Sequence, residues 1–236
     1  MAIAKLRPTK SADGTAVVTP SRTGSYGEAY NYPMGVGRYG WADEGSYYTV
    51  GSVIGTDITA HAAPAIADTD TKPLLHIFNG GTLDIYLDYI EMLTTIANAS
   101  ASAVAFRGYV DNKGSTGRTG AGTALTPVNT RSNSTNTSGA TVYAGAVTAV
   151  STASRLAYSR VIKEFIGVAL DRYSFSFGNG LLGDPTTSYT AGATAIVCYG
   201  PPIVIGPGGN FYFCQVSPSG ASTAATFQFE CGFAER

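Results

Sequence analysis

The stretch Ile203-Val-Ile-Gly-Pro-Gly-Gly-Asn-Phe-Tyr-Phe-Cys-Gln-Val216, followed across Ser217-Pro-Ser-Gly220 by Phe227-Gln-Phe-Glu-Cys-Gly-Phe233, decides the fold class. Phe227, Phe229, Cys231 and Phe233 alternate with Gln228, Glu230 and Gly232, the period of two that turns one face of a strand toward a core. Gly206-Pro-Gly-Gly-Asn210 and Ser217–Gly220 are turn signals, because Gly and Asn tolerate positive φ and Pro presets a corner. The reading is a short strand, a tight turn, a strand over 211–216, a second turn, and a strand running nearly to Arg236. Just before it, Ala193–Tyr199 reads as a strand stopped by Gly200-Pro-Pro202.

Working outward, Leu74–Phe78 is an apolar run ended by Asn79-Gly-Gly81. Leu83, Ile85, Leu87 and Tyr89 then alternate with Asp84, Tyr86 and Asp88. The same stretch spaces Leu83, Leu87, Ile90 and Leu93 almost as a helix would. Strand is favoured because aspartates alternate there with aromatic and β-branched residues. Ala103–Val110, Thr141–Ala149 and Tyr173–Phe177 add strands. Leu156–Leu170 is open between strand and helix, since Val161, Ile162, Phe165 and Ile166 also form a helical face. Residues 114–140 are Gly, Ser, Thr and Asn with little to bury, and read as a long loop. Eight to ten strands with frequent turns and no βαβ rhythm imply an all-β, jelly-roll-like β-sandwich over 73–236. Its two sheets are expected about 10 Å apart.

Residues 1–72 lack aliphatic periodicity and read as an extended Tyr/Gly-rich N-terminal arm. Tyr26, Tyr30, Tyr32, Tyr39, Trp41, Tyr47 and Tyr48 are its candidate subunit contacts, since aromatics bring large contact area with few rotors.

Charged residues make up 13% of the 236, about half of the ~25% usual in a globular domain. So little charge gives weak protection against association, and the neutral surfaces are expected to meet copies of the chain or a partner. The net charge of −1 argues against nucleic acid as a general partner, which would need a basic patch. A local exception is residues 1–22, where Lys5, Arg7, Lys10 and Arg22 face Asp13 alone. The three cysteines, Cys198, Cys214 and Cys231, stand in apolar segments without metal spacing, and are expected as buried free thiols of a protein assembled in a cytoplasm. Neither a signal peptide nor an apolar run long enough to span a membrane is read from the sequence.

No chemistry-bearing constellation emerges, and neither an enzyme nor a cofactor nor a metal is expected. Gly35-Val-Gly-Arg-Tyr-Gly40 and Gly178-Asn-Gly-Leu-Leu-Gly183 match the dinucleotide glycine pattern but lack its strand–turn–helix setting. His76 lies in an apolar run and reads as a bonded core residue; His61 sits in an Ala/Pro loop. Asp84 and Asp88 would share one strand face roughly 13 Å apart at ~3.3 Å per residue, beyond the ~6.5–9.5 Å of an inverting glycosidase.

From about residue 74 the chain resembles a group of tailed-phage and prophage virion proteins with a jelly-roll, tumour-necrosis-factor-like sandwich. The resemblance is carried by Leu83-Asp-Ile-Tyr-Leu-Asp-Tyr-Ile90, Gly122-Thr-Ala-Leu-Thr-Pro-Val-Asn129, Val142-Tyr-Ala-Gly-Ala-Val-Thr-Ala149, Pro201-Pro-Ile-Val-Ile-Gly-Pro-Gly-Gly209 and Phe233-Ala-Glu-Arg236. Where the group usually carries a bulky aromatic before the final Glu-Arg, this chain has Phe233-Ala234. The resemblance implies a virion component made in the host cytoplasm: a capsid decoration or cement protein, a head fibre or a head-to-tail part. It implies a homotrimer that contacts the major capsid protein or other virion proteins, with no catalytic residues to carry over. The rival expectation is a receptor- or glycan-binding virion module using Trp41, its neighbouring tyrosines and the 114–140 loop. A glycan hydrolase acting from the Asp84 face ranks third.

Overall fold

The computed structural model describes residues 9–10, 16–17, 37–52, 58–59, 73–96, 104–111, 122–145, 155–163, 169–178, 195–216 and 225–236. The chain divides into two compact units, Met1–Tyr39 and Gly40–Arg236. Within the first, β1 (Thr9–Lys10) pairs antiparallel with β2 (Ala16–Val17). The helix α1 (Gly37–Glu44) leads into the second unit, a sandwich of two sheets.

One sheet is six-stranded, in the order β11 (Arg155–Lys163), β7 (Val104–Asp111), β15 (Asn210–Val216), β5 (Leu75–Asn79), β10 (Ala140–Ala144), β8 (Thr123–Leu125). The other is eight-stranded. Its path runs β13 (Ala195–Gly200), β12 (Arg172–Phe177), β6 (Ile85–Ile96), β16 (Thr226–Glu235), β3 (Tyr47–Gly51), β9 (Val128–Asn129), with β14 (Ile203–Ile205) also on β6 and β4 (Ile58–Thr59) on β16. Four antiparallel pairs are nested along the chain: β3 with β16, β5 with β15, β6 with β12, and β7 with β11. The pairs β16–β6 and β15–β7 then join these into two layers. First strand to last, second to second-last, is the winding of a jelly roll, and the expected all-β sandwich is what forms.

The core is aromatic and draws on both sheets. Phe106 of β7 lies 5.5 Å from Phe213 of β15, and 5.1 Å from Tyr173 and Phe175 of β12, so its ring spans the gap between layers. The alternations read over β12 and β16 hold, with Tyr173, Phe175, Phe177, Phe227, Phe229, Cys231 and Phe233 all buried. The one read over Leu83–Tyr89 fails at both ends, Leu83 being exposed and Tyr89 outward with Asp88 buried beside it.

Three expectations change. The sandwich begins well before residue 73, because β3 completes the eight-stranded sheet beside β16 and buries Tyr48 and Val50. Aromatic side chains supply the apolar area there that the missing aliphatic pattern seemed to deny. The 114–140 stretch is not simply loop, since β8 and β9 extend opposite sheets from within it. And the helical alternatives resolve to strand over β6 and, as far as Lys163, over β11, with Phe165 and Ile166 outside the described residues.

The mixed spacing in β6 has a physical cause. Leu87 stands opposite Phe233 and Tyr89 opposite Gly232, so Asp88 is an extra residue in the ladder. Such a bulge flips the parity of the strand. Ile85 and Leu87 point inward before it, and Ile90, Met92 and Thr94 after it. The step of three from Leu87 to Ile90 is what imitates a helix.

Candidate functional site

The two outer faces of the sandwich differ. On the six-stranded sheet, register aligns Tyr143, His76, Tyr212, Tyr109 and Leu156 in one row across five strands. Tyr109 and Tyr212 stack at 4.9 Å, and His76 stacks on Tyr143 at 5.8 Å. His76 Nε2 bonds Asn210 Oδ1 at 2.8 Å, the bonded buried histidine expected from sequence. His76, Tyr212 and Tyr109 are 0–4% exposed, so the middle of this row is covered, while Leu156 at its end is 52% exposed.

The eight-stranded sheet is open. One row runs Tyr199, Ser176, Tyr89, Gly232, Thr49, Val128; the next Val197, Ser174, Glu91, Glu230, Gly51; a third Ala195, Arg172, Leu93, Gln228. Glu91, Glu230 and Arg172 are the only charges in these rows. Glu91 and Glu230 are cross-strand neighbours, an arrangement that costs stability when unrelieved. Arg172 relieves Glu91 at 3.7 Å, and the Tyr89 hydroxyl donates to Glu230. Burial first, then that carboxylate, raises the Tyr89 phenol above its ordinary value. Val197, Tyr199, Val204 and Val128 are 38–62% exposed on this sheet. The edge strand β13 holds no charge, proline or bulge, the devices that normally defend an edge.

The single polar strand face expected to carry both Asp84 and Asp88 does not form. Asp88, taken into the bulge, is buried and accepts a 2.7 Å bond from the Tyr47 hydroxyl. Asp84 instead ties its backbone to that of Arg236.

Of the seven arm residues named from sequence, Tyr26, Tyr30 and Tyr32 lie outside the described residues. Tyr39 falls within α1, with its side chain outside the description. Tyr47 and Tyr48 are 7% and 3% exposed and belong to the chain's own sandwich, which corrects their reading as subunit contacts. The Tyr48 ring stacks on Phe233 at 5.9 Å. Trp41 is half-buried, 6.5 Å from the Tyr86 ring, with the Arg236 guanidinium 5.8 Å from its centroid. It is a joint that seats α1 on β6 rather than a bare platform.

A cleft of about 480 Å³ opens beside this joint, lined by Gly45, Ser46, Tyr48, Leu83, Thr135, Asn136, Thr137 and Glu235. Its walls are set by the end of α1. Gly45 has φ +70° and its N–H bonds the Ala42 carbonyl, a glycine C-cap that only a residue without Cβ fits easily. The amides of Asn129 and Asn136 both donate to the Gly45 carbonyl, at 2.8 and 3.0 Å, and hold the 129–137 segment against the cap. Glu235, 8% exposed, accepts from the Ser138 hydroxyl and from the backbone N–H of Gly139 and Ala140. Burial and then the Glu235 charge raise the Tyr48 phenol, against a lowering bond from Asn129. This cleft had no signal in sequence, because its residues come from four separated segments.

Among the described residues no group of three or more His, Cys, Asp or Glu is placed to hold a metal ion, and no helix is long and apolar enough to cross a membrane. Cys198, Cys214 and Cys231 are buried and form no disulfide with one another, as expected. Family models, curated proteins and solved structures were all compared with this chain, and none matches.

Proposed function

We propose that this chain is a structural subunit of a tailed-phage virion, a capsid decoration or cement protein that acts by association and carries out no reaction. The observation that supports it is the outer face of the eight-stranded sheet, where Val197, Tyr199, Val204 and Val128 stand exposed, the edge strand β13 carries no charge, and the three charges, Glu91, Glu230 and Arg172, sit together. Charge depletion with tyrosine present is the composition of an interface centre. The sequence adds that no Asp, Glu, Lys, Arg or His occurs from Pro185 to Phe229, so β13 and β14 bring no charge to a contact with another copy. Self-association in a closed ring, a homotrimer by the resemblance, is the economical way to cover such a face. The capsid is the partner for what the ring leaves exposed, and virion residence follows.

The test is mass in solution by light scattering, with a count of copies in purified particles by quantitative mass spectrometry. A closed oligomer present at a fixed ratio to the major shell protein is expected. A monomer at all concentrations, missing from particles, overturns the reading.

A further inference from the structure

We infer that the cleft at the α1 end of the sandwich is a binding site for a neutral saccharide unit, separate from the open sheet face and independent of the subunit reading. Its volume of about 480 Å³ falls within the ~300–1,000 Å³ of small-molecule sites. The chemistry of the wall selects the ligand by elimination. Glu235 sets a carboxylate in the lining, and the nearby Arg236 is held by Glu44 at 2.9 Å, so an anion meets repulsion and, among the described lining residues, no cation. A metal ion needs several anionic or imidazole ligands, and the lining offers one carboxylate. A wholly apolar ligand would desolvate the hydroxyls of Thr135 and Thr137 without replacing their bonds.

A neutral polyol meets each of these terms. Among the described residues the side chains of Thr135 and Thr137 make no hydrogen bond, and both are exposed. A carboxylate has about four lone-pair sites; Glu235 uses three, from Ser138, Gly139 and Ala140, and keeps one for a ligand hydroxyl. Leu83, 50% exposed at the rim, supplies the apolar patch that a sugar's C–H face covers. The site is also rigid: the Gly45 carbonyl binds both Asn129 and Asn136, and little ordering is left for the ligand to pay in entropy.

Saturation-transfer NMR on the intact protein with glucose, galactose, N-acetylglucosamine and rhamnose, each at millimolar concentration, tests this. Transfer to at least one sugar is expected. It should be lost in the Thr135→Val/Thr137→Val double variant and in Leu83→Lys, with the thermal midpoints of both unchanged. These positions are exposed, so the variants fold. No transfer to any of the four sugars, or transfer that survives in both variants, overturns the site.

Discussion

Cys231 stands in the middle of β16 with its thiol wholly buried, and burial, followed by the charge of Glu230, pushes its pKa up to about 12. An unfolded thiol titrates near 8.5. Between those values the native state holds a proton that the unfolded state releases, so stability falls as pH rises. The first part of that window lies below the tyrosine range, and Cys231 contributes to it. Urea unfolding from pH 8 to 10 should show declining stability, and Cys231→Ala should flatten the decline. An equal slope in both proteins would refute the assignment. Next to it, Gly232 has no room for a side chain: a Cβ there would lie 2.3 Å from the Tyr89 ring and 2.5 Å from the Tyr47 hydroxyl. Gly232→Ala must displace the group that bonds Asp88. A loss of about 1–3 kcal/mol is expected, the usual cost of overpacking, read from the shift of the urea midpoint.

At the scale of elements, β3 decides where the folded unit starts. It covers one side of β16, stacks Tyr48 on Phe233 and places Tyr47 over the β6 bulge. Two truncations separate the arm from this strand. Removal of residues 1–36 should leave the thermal midpoint of the sandwich nearly unchanged. Removal of residues 1–60 takes away α1, β3 and β4, opens the flank of β16 and should abolish cooperative melting, as followed by near-ultraviolet circular dichroism. Equal midpoints for the two would mean that β3 is dispensable. At the α1 joint, Trp41→Ala should cost less than the ~3–5 kcal/mol of a fully buried tryptophan, because Trp41 is only half-buried.

For the whole molecule the exposed face of the eight-stranded sheet is the surface proposed for association. Lysines at Val197 and Val204 would put charge on the open face without touching the core, since both are exposed. The Val197→Lys/Val204→Lys protein should keep its far-ultraviolet spectrum and melt normally, yet run at lower mass in light scattering than the parent. An unchanged mass would move the association surface elsewhere.

How much was legible beforehand follows from range. Alternation over β12, β15 and β16 is local, and the inward residues read from it, such as Phe175, Phe213 and Phe229, are the ones found buried. The buried thiols and the bonded His76 were legible for the same reason, since an apolar neighbourhood in sequence is an apolar neighbourhood on a strand. The bulge at Asp88 was visible only as an ambiguity between two periods. Tyr47 and Tyr48 were misplaced because their partners Ala234 and Phe233 lie at the far end of the chain.

By itself, then, the sequence determined the class of structure and many of its strands, with the inward faces of β12, β15 and β16, because hydrophobic alternation and turn chemistry act over a few residues. Only the tertiary structure decided which sheet stays open, where the unit begins, and that Glu235, Thr135 and Gly45 meet around one cleft. Those outcomes depend on pairings between distant strands, and on burial by neighbours that no short window of sequence contains.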